Sequence, residues 1–174
     1  MIALRGLGVV LLLIAGAGIG FVLADRYRRR PRELTALRTG LQVLITEIDV
    51  GLTPLPQALE RAAAATGGQV AALFAAAAAL LRAGGGMTGG EAWARALATV
   101  AGELALEPAE LDILRDLGAC LGRSSREDQR RHLELAAARL AAAEQAALAS
   151  WRDQHRLALY LGVIGAGIVV LSVL

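Results

Sequence analysis

The sequence contains no lysine, one cysteine, two histidines and only 3% aromatic residues among its 174 residues. Without lysine the chain cannot form the nucleotide-binding loop G-x-x-x-x-G-K-[ST], so residues 84–86 (Gly-Gly-Gly) are predicted to form a hinge or a long turn. A single cysteine excludes an intramolecular disulfide and a cysteine-based zinc site. The scarcity of aromatics also argues against a nucleic-acid-binding module, which stacks bases on aromatic side chains.

The few residues that often carry chemistry are poorly placed for it. His132 and His155 are separated by 23 positions on one predicted helix, about 35 Å along its axis, so they cannot share a metal within one chain. Cys120 lies in an apolar helix and is predicted to be a buried thiol. The sequence therefore predicts no catalytic residue, no cofactor and no metal site.

Four carboxylates are close together in the sequence and leave one alternative open. Paired carboxylates can act as general acid and base, and negative charge also stabilises a helix N-terminus. We favour the second interpretation; a membrane enzyme that uses Glu110 and Asp112 is the alternative. The group consists of Glu107, Glu110, Asp112 and Asp116.

Long uncharged apolar runs lie near both ends of the chain, at residues 6–24 and 157–174. Each is close to the roughly 20 residues that a helix needs to cross a bilayer. We therefore predict an N-terminal transmembrane anchor at residues 1–25, a central domain at 26–156 and a C-terminal transmembrane helix at 157–174. A cleaved signal peptide ending at residue 24 is the alternative for the first run, but the arginine cluster that follows favours a retained anchor.

Arginines indicate the orientation in the membrane. Residues 1–32 hold six arginines and one acidic residue, whereas residues 33–156 hold twelve arginines and fifteen acidic residues. By the positive-inside rule, the central domain is predicted to be cytosolic and both termini to lie outside. The arginines on the domain side of the two runs are Arg26, Arg28, Arg29, Arg30, Arg32, Arg152 and Arg156.

Small residues within the apolar runs predict close helix packing in the membrane. Glycines spaced in this way let transmembrane helices approach each other closely. We expect the two runs to pack against each other or against a partner. The glycines concerned are Gly16, Gly18 and Gly20 in the first run and Gly162 and Gly165 in the second.

The central domain is predicted to be an all-α antiparallel helical bundle. Leucines and isoleucines recur at three- and four-residue steps between residues 34 and 48, which is typical of an amphipathic helix. We expect this helix to restart at Pro31 and the next to begin with Thr53 as its N-cap. Alanine-rich residues 69–82 should form a helix buried nearly all round. Thr88–Glu91 and Ser124–Glu127 have the spacing of capping boxes, and the second should open a helix of about 35 residues or more.

A dense group of charges surrounds the second capping box. It is either a solvated helix start or a docking surface for another protein. Its members are Arg123, Arg126, Asp128, Arg130 and Arg131.

Short motifs occur along the chain in a fixed order and spacing: Tyr27, Arg30-Pro31-Arg32, Gly51, Thr53-Pro54-Leu55-Pro56, Ala58-Leu59, Glu91-Ala92-Trp93, Ala96-Leu97, Leu117-Gly118, Leu121-Gly122, Arg126-Glu127, Gln129 and Arg131-His132. In these motifs and in the order of its segments, the chain resembles the stage III sporulation protein AB family over nearly its whole length. The glycine-rich residues 84–90, and Ser125 in place of an acidic residue, depart from the family pattern.

The resemblance implies a role in endospore formation. It implies a non-enzymatic membrane platform in a mother cell–forespore channel or secretion-like complex, with the domain on the mother-cell side of the outer forespore membrane. The implied partners are other proteins of that complex, including a cytosolic ATPase similar to stage III sporulation protein AA. Helix starts at residues 54–59 and 90–92 also resemble the platform proteins of type II secretion systems, so a type II secretion or type IV pilus-like apparatus is the alternative.

Overall fold

The computed structural model describes the backbone of residues 28–49, 53–122 and 125–173, and the side chains of these segments up to residue 150. All regular structure in these segments is helical, with no strand, so the all-helical fold predicted from the sequence is confirmed. The helices are α1 over residues 28–49, α2 at Leu55–Ala65, α3 at Gly68–Arg82, α4 at Gly89–Val100, α5 at Pro108–Cys120 and α6 at Arg126–Val173.

Helix α1 supplies a large part of the core. All six apolar residues of its predicted stripe are buried, because their spacing places them on one face of the helix. Consecutive helices from α2 to α6 pack on one another. The buried stripe of α1 consists of Leu34, Leu37, Leu41, Leu44, Ile45 and Ile48.

Trp93 joins three of the helices in the centre of the core. Its ring packs against Phe74 of α3 with 5.5 Å between the ring centroids, and its Nε1 donates a hydrogen bond of 2.7 Å to the carbonyl oxygen of Leu114 in α5. The indole of Trp93 also lies so close to Gly118 that an added Cβ would come within 2.8 Å of it. Glycine at this position therefore lets α4 and α5 approach closely.

Ion pairs between the first and last helices define two ends of the bundle. Arg38 pairs with Glu144, and Asp49 lies 4.0 Å from Arg130, so α1 and α6 are antiparallel. This register places the start of α1 level with about residue 151, and α6 continues as a helix to Val173. We call this the proximal end; the distal end carries residues 83–88 and the start of α6.

The structure corrects several predicted helix starts. The described helix already includes residue 28, so α1 does not restart at Pro31. The N-cap of α2 is Pro54 rather than Thr53, because the Pro54 carbonyl oxygen accepts the first helical hydrogen bond, from the Ala58 N–H at 3.1 Å. The Thr53 hydroxyl donates to Glu47 Oε2 at 2.7 Å. The cap of α6 is one residue later than expected: Ser125 Oγ accepts from the backbone N–H of Asp128 at 3.2 Å. The Thr88–Glu91 capping box of α4 is confirmed.

Helix α3 is less buried than its composition predicted. One of its faces packs in the core, but Ala72, Ala75 and Ala79 are exposed. The error arises because alanine is apolar enough for the core and is also a strong helix former on a surface, so an alanine-rich run does not identify its buried face.

The predicted membrane segments are described only in part. Among the described residues, no helix is both long enough and apolar enough to cross a bilayer. Gly16, Gly18 and Gly20 lie outside the described residues. Gly162 and Gly165 belong to the helical backbone of α6, beyond the residues whose side chains are described. Their proposed packing stays a prediction.

Candidate docking surface

The charge cluster predicted from the sequence lies at the distal end, at the start of α6. Arg126, Asp128, Arg130 and Arg131 are in the described segments, whereas Arg123 lies outside them. Ser125 caps this helix, and its hydroxyl also donates to Asp128 Oδ2 at 2.7 Å. The acidic residues of the first turn complement the positive end of the helix dipole.

The arginines of this cluster do not have the same role. Arg130 donates to Glu134 at 2.9 Å and lies near Asp49 of α1, so its charge is neutralised by ion pairs within the fold. Arg126 and Arg131 are exposed and form no ion pair with any residue that the structure describes. Among the described members of the cluster, these two arginines are therefore the ones without an internal ion-pair partner.

A groove with apolar and charged lining lies between α5 and α6, and on α6 it begins at His132, directly after Arg131. Leu135 is 48% exposed, which is unusual for a leucine on a helix whose other leucines in this region are buried. Arg131 and Leu135 are four residues apart and so lie on one face of α6. The groove is lined by Ile113, Asp116, Leu117 and Cys120 from α5 and by His132, Leu135, Ala136 and Arg139 from α6. We call Arg126, Arg131 and this groove the distal surface.

Cys120 and His132 line the same groove, a proximity that the sequence did not predict. The thiol is only partly buried rather than enclosed in the core, and its Sγ lies 3.9 Å from the Asp116 carbonyl oxygen. Burial, and then the carboxylates of Asp116 and Asp128, raise the pKa of Cys120. Because a raised pKa favours the protonated thiol over the nucleophilic thiolate, the groove does not activate this cysteine.

The carboxylates that could have formed an acid–base pair have different partners in the structure: Glu107 and Glu110 share Arg30, whereas Asp112 and Asp116 do not contact it. Glu110 is buried and pairs with Arg30, whereas Asp112 is exposed and pairs with Arg115 on the same helix. Asp116 lies 3.8 Å from Arg139. In the segments that the structure describes, no group of three or more His, Cys, Asp or Glu side chains could hold a metal ion.

A polar network at the proximal end was not predicted from the sequence. Arg30 Nη2 lies 2.8 Å from Glu110 Oε1, and Arg30 also pairs with Glu107. Glu33 Oε2 accepts a 2.6 Å hydrogen bond from the backbone N–H of Ala105, and Arg29 donates to the carbonyl oxygen of Glu103 at 2.9 Å. The network connects the start of α1 to the segment between α4 and α5.

The comparisons with known proteins agree with the resemblance seen in the sequence. The family described as stage III sporulation protein AB matches residues 5–174. Stage III sporulation protein AB of Bacillus subtilis (strain 168) is 33% identical over 168 residues, which cover 97% of this chain and 98% of that protein. A solved structure of stage III sporulation protein AB is similar with a TM-score of 0.67 and 34% identity, covering 71% of this chain and 97% of that one. The chain therefore belongs to the stage III sporulation protein AB family.

Proposed function

We propose that this chain is a non-enzymatic membrane platform in a channel or secretion-like complex between mother cell and forespore, required for endospore formation. Family membership supports the sporulation role. The observation that carries the platform role is geometric: α1 starts at the same end of the bundle from which α6 continues to Val173. Apolar runs connected to these two helices can enter one membrane side by side, with the distal surface farthest from it.

The proposed arrangement has two membrane spans, at residues 1–25 and 157–174, and a cytosolic domain on the mother-cell side of the outer forespore membrane. The distribution of arginine supports this orientation, because seven arginines lie next to the two runs on the domain side. Five of them lie within residues 26–32, and the other two are Arg152 and Arg156. The amino-terminal side offers only Arg5.

Thiol labelling of intact cells tests the orientation. Ala83 is a suitable labelling site, because it is exposed next to the glycine-rich turn and has an αR backbone (φ −59°) that cysteine tolerates. Gly85 has φ +88°, where a cysteine would be strained. In a Cys120→Ala background, we expect Ala83→Cys to be protected from an impermeant maleimide until lysis. Ala3→Cys, predicted to lie outside, is the matched positive control. Labelling of Ala83→Cys in intact cells would contradict the proposed orientation.

We further propose that the distal surface docks a cytosolic partner, such as an ATPase similar to stage III sporulation protein AA. Arg126 and Arg131 support this because their charges are not used within the described fold, and Leu135 adds an exposed apolar contact next to them. Interfaces often combine arginine with an apolar centre. The distal surface is also the part of the bundle that a partner in the cytosol reaches without touching the membrane.

Charge reversal tests this docking proposal. Docking through Arg126 and Arg131 requires an acidic surface on the partner, which these arginines attract. The double variant Arg126→Glu/Arg131→Glu is therefore expected to reduce retention of the ATPase on the immobilised full chain by about tenfold or more, because the introduced glutamates would repel that surface. Arg95→Glu is the matched control, since Arg95 is an exposed α4 arginine for which the structure gives no ion pair. Equal retention by the double variant and the wild type would rule out this surface.

A separate observation would favour the alternative function, a platform of a type II secretion or type IV pilus-like apparatus: defects in secretion or piliation outside sporulation when the protein is removed.

A further inference from the structure

A second concave surface lies at the opposite end of the bundle from the distal surface. It is a groove of about 420 Å³ between the start of α1 and the turn that joins α2 to α3. The residues that line it are Arg29, Arg32, Glu33, Ala36, Gly67, Gly68 and Gln69. We call it the proximal groove.

The proximal groove has a net positive charge after its own ion pair, between Arg29 and Glu33, is taken into account. Glu33 and Arg29 neutralise each other across 3.0 Å, and the second oxygen of Glu33 accepts the Ala105 N–H. Arg32 is exposed and forms no ion pair within the described segments. Arg28 is not among the residues that line the groove, but it lies one helical turn before Arg32 on the same face of α1. It is exposed and likewise has no ion pair within the described segments. Among the residues that the structure describes, these two arginines on one face of α1 thus have no counter-charge.

The opposite wall of the groove offers hydrogen-bond donors. Helix α3 begins at Gly68 with Gly67 as its N-cap, without a side-chain cap and without an acidic residue in the first turn. The first backbone N–H groups of a helix have no partner within it. An anionic group held by the arginines would therefore face donors from a second element as well.

We propose that the proximal groove binds the phosphate of an anionic phospholipid headgroup, with Arg28 and Arg32 as its charged contacts. The lipid as the source of the phosphate rests on the proposed function, which places this end of the bundle at the membrane. An arginine guanidinium matches phosphate geometry by donating two parallel hydrogen bonds, so the chemistry fits this ligand. A bound headgroup would fix the bundle against the bilayer surface and favour one tilt of the platform.

Titration of the purified full chain with short-chain lipids tests the proposal. In a non-ionic detergent, dioctanoyl phosphatidylglycerol is expected to bind the wild type. Dioctanoyl phosphatidylcholine has the same phosphate but is expected to bind at least about tenfold more weakly, because its choline cation would lie beside the two arginines and like charges repel. Arg28→Gln/Arg32→Gln is expected to lose about tenfold or more in affinity for phosphatidylglycerol. Arg95→Gln, which removes an exposed arginine from α4, should bind like the wild type.

Each other result overturns the proposal. Equal binding of the two lipids would show that the charge of the headgroup is not recognised. If Arg95→Gln weakened phosphatidylglycerol binding as much as Arg28→Gln/Arg32→Gln does, the affinity would depend only on the net charge of the chain. If inorganic phosphate displaces bound phosphatidylglycerol at an equal concentration, the groove binds a free anion as tightly as the lipid, and the ligand is not specifically a lipid. Because these titrations use detergent, they are independent of the thiol-labelling experiment: a cytosolic domain without lipid binding would remove this inference and leave the proposed function intact.

Discussion

Replacing Glu110 by alanine is expected to reduce the free energy of unfolding by about 3 kcal/mol, because it leaves a largely buried guanidinium without its main partner. Glu110 is 2% exposed, and its Oε1 accepts hydrogen bonds from Arg30 Nη2 and Nε at 2.8 and 3.1 Å. Its Oε2 also accepts the backbone N–H of Glu107 at 2.8 Å. Since Arg30 keeps the exposed Glu107 as a second ion-pair partner, the lower part of the usual range applies. Guanidinium unfolding of the full chain in detergent, followed by circular dichroism, measures the effect.

Two further variants separate the ion pair from the loss of any carboxylate. Asp112→Ala removes an exposed carboxylate from the same helix, paired only with Arg115, and should change stability by less than about 1 kcal/mol. Arg30→Met/Glu110→Leu replaces the whole pair by apolar groups and should recover most of the loss, because no charge is then left buried. A cost below about 1 kcal/mol for Glu110→Ala would show that water reaches Arg30 in place of the carboxylate.

The pair also illustrates what the sequence could and could not predict. Leu34, Leu37 and Leu41 identified the buried face of α1 through their spacing alone, and the structure confirms it. Arg30 lies one turn before Leu34 on that face, and Glu110 lies one turn before Leu114. A charged residue in register with an apolar stripe was therefore the available signal. The pairing itself joins residues 80 positions apart, and helical periodicity carries no information about which helices meet.

Of the distal surface, the sequence predicted the charges but not the groove. The sequence identified the charge cluster, but it could not show that Arg130 is paired within the fold while Arg126 and Arg131 are not. The groove depends on how α5 packs on α6, so Cys120 and His132 come together only in the tertiary structure. Capping of α6 was predicted at Ser124, one residue too early: a second serine follows it, and the structure uses Ser125 as the cap.

Helix α6 connects the bundle to the C-terminal apolar run without interruption. It is one helix of 48 residues, Arg126–Val173. Within the bundle it is fixed to α1 through Glu144, which accepts hydrogen bonds from Thr35 and Arg38. Although burial opposes ionisation, these hydrogen bonds lower the pKa of Glu144, so the carboxylate stays charged at neutral pH. A partner that moves the distal surface would therefore move α6 as a rigid rod, and with it the proposed C-terminal span.

Breaking this rod where it leaves the bundle is expected to abolish spore formation while leaving partner binding intact. Ala149→Gly/Ser150→Pro places the break beyond Glu144, because proline removes a helical hydrogen bond and clashes with the preceding turn, at a cost of about 3 kcal/mol. Ser150→Ala is the matched control: it loses only the hydroxyl bond to the Ala147 carbonyl oxygen and keeps the helix. Heat-resistant spore counts should fall to those of a strain without the protein for the double variant and stay normal for the control, with equal ATPase retention in both. Normal spore counts in the double variant would show that the two ends of α6 act independently, and that the domain serves as an anchored scaffold rather than as a transmitter of movement.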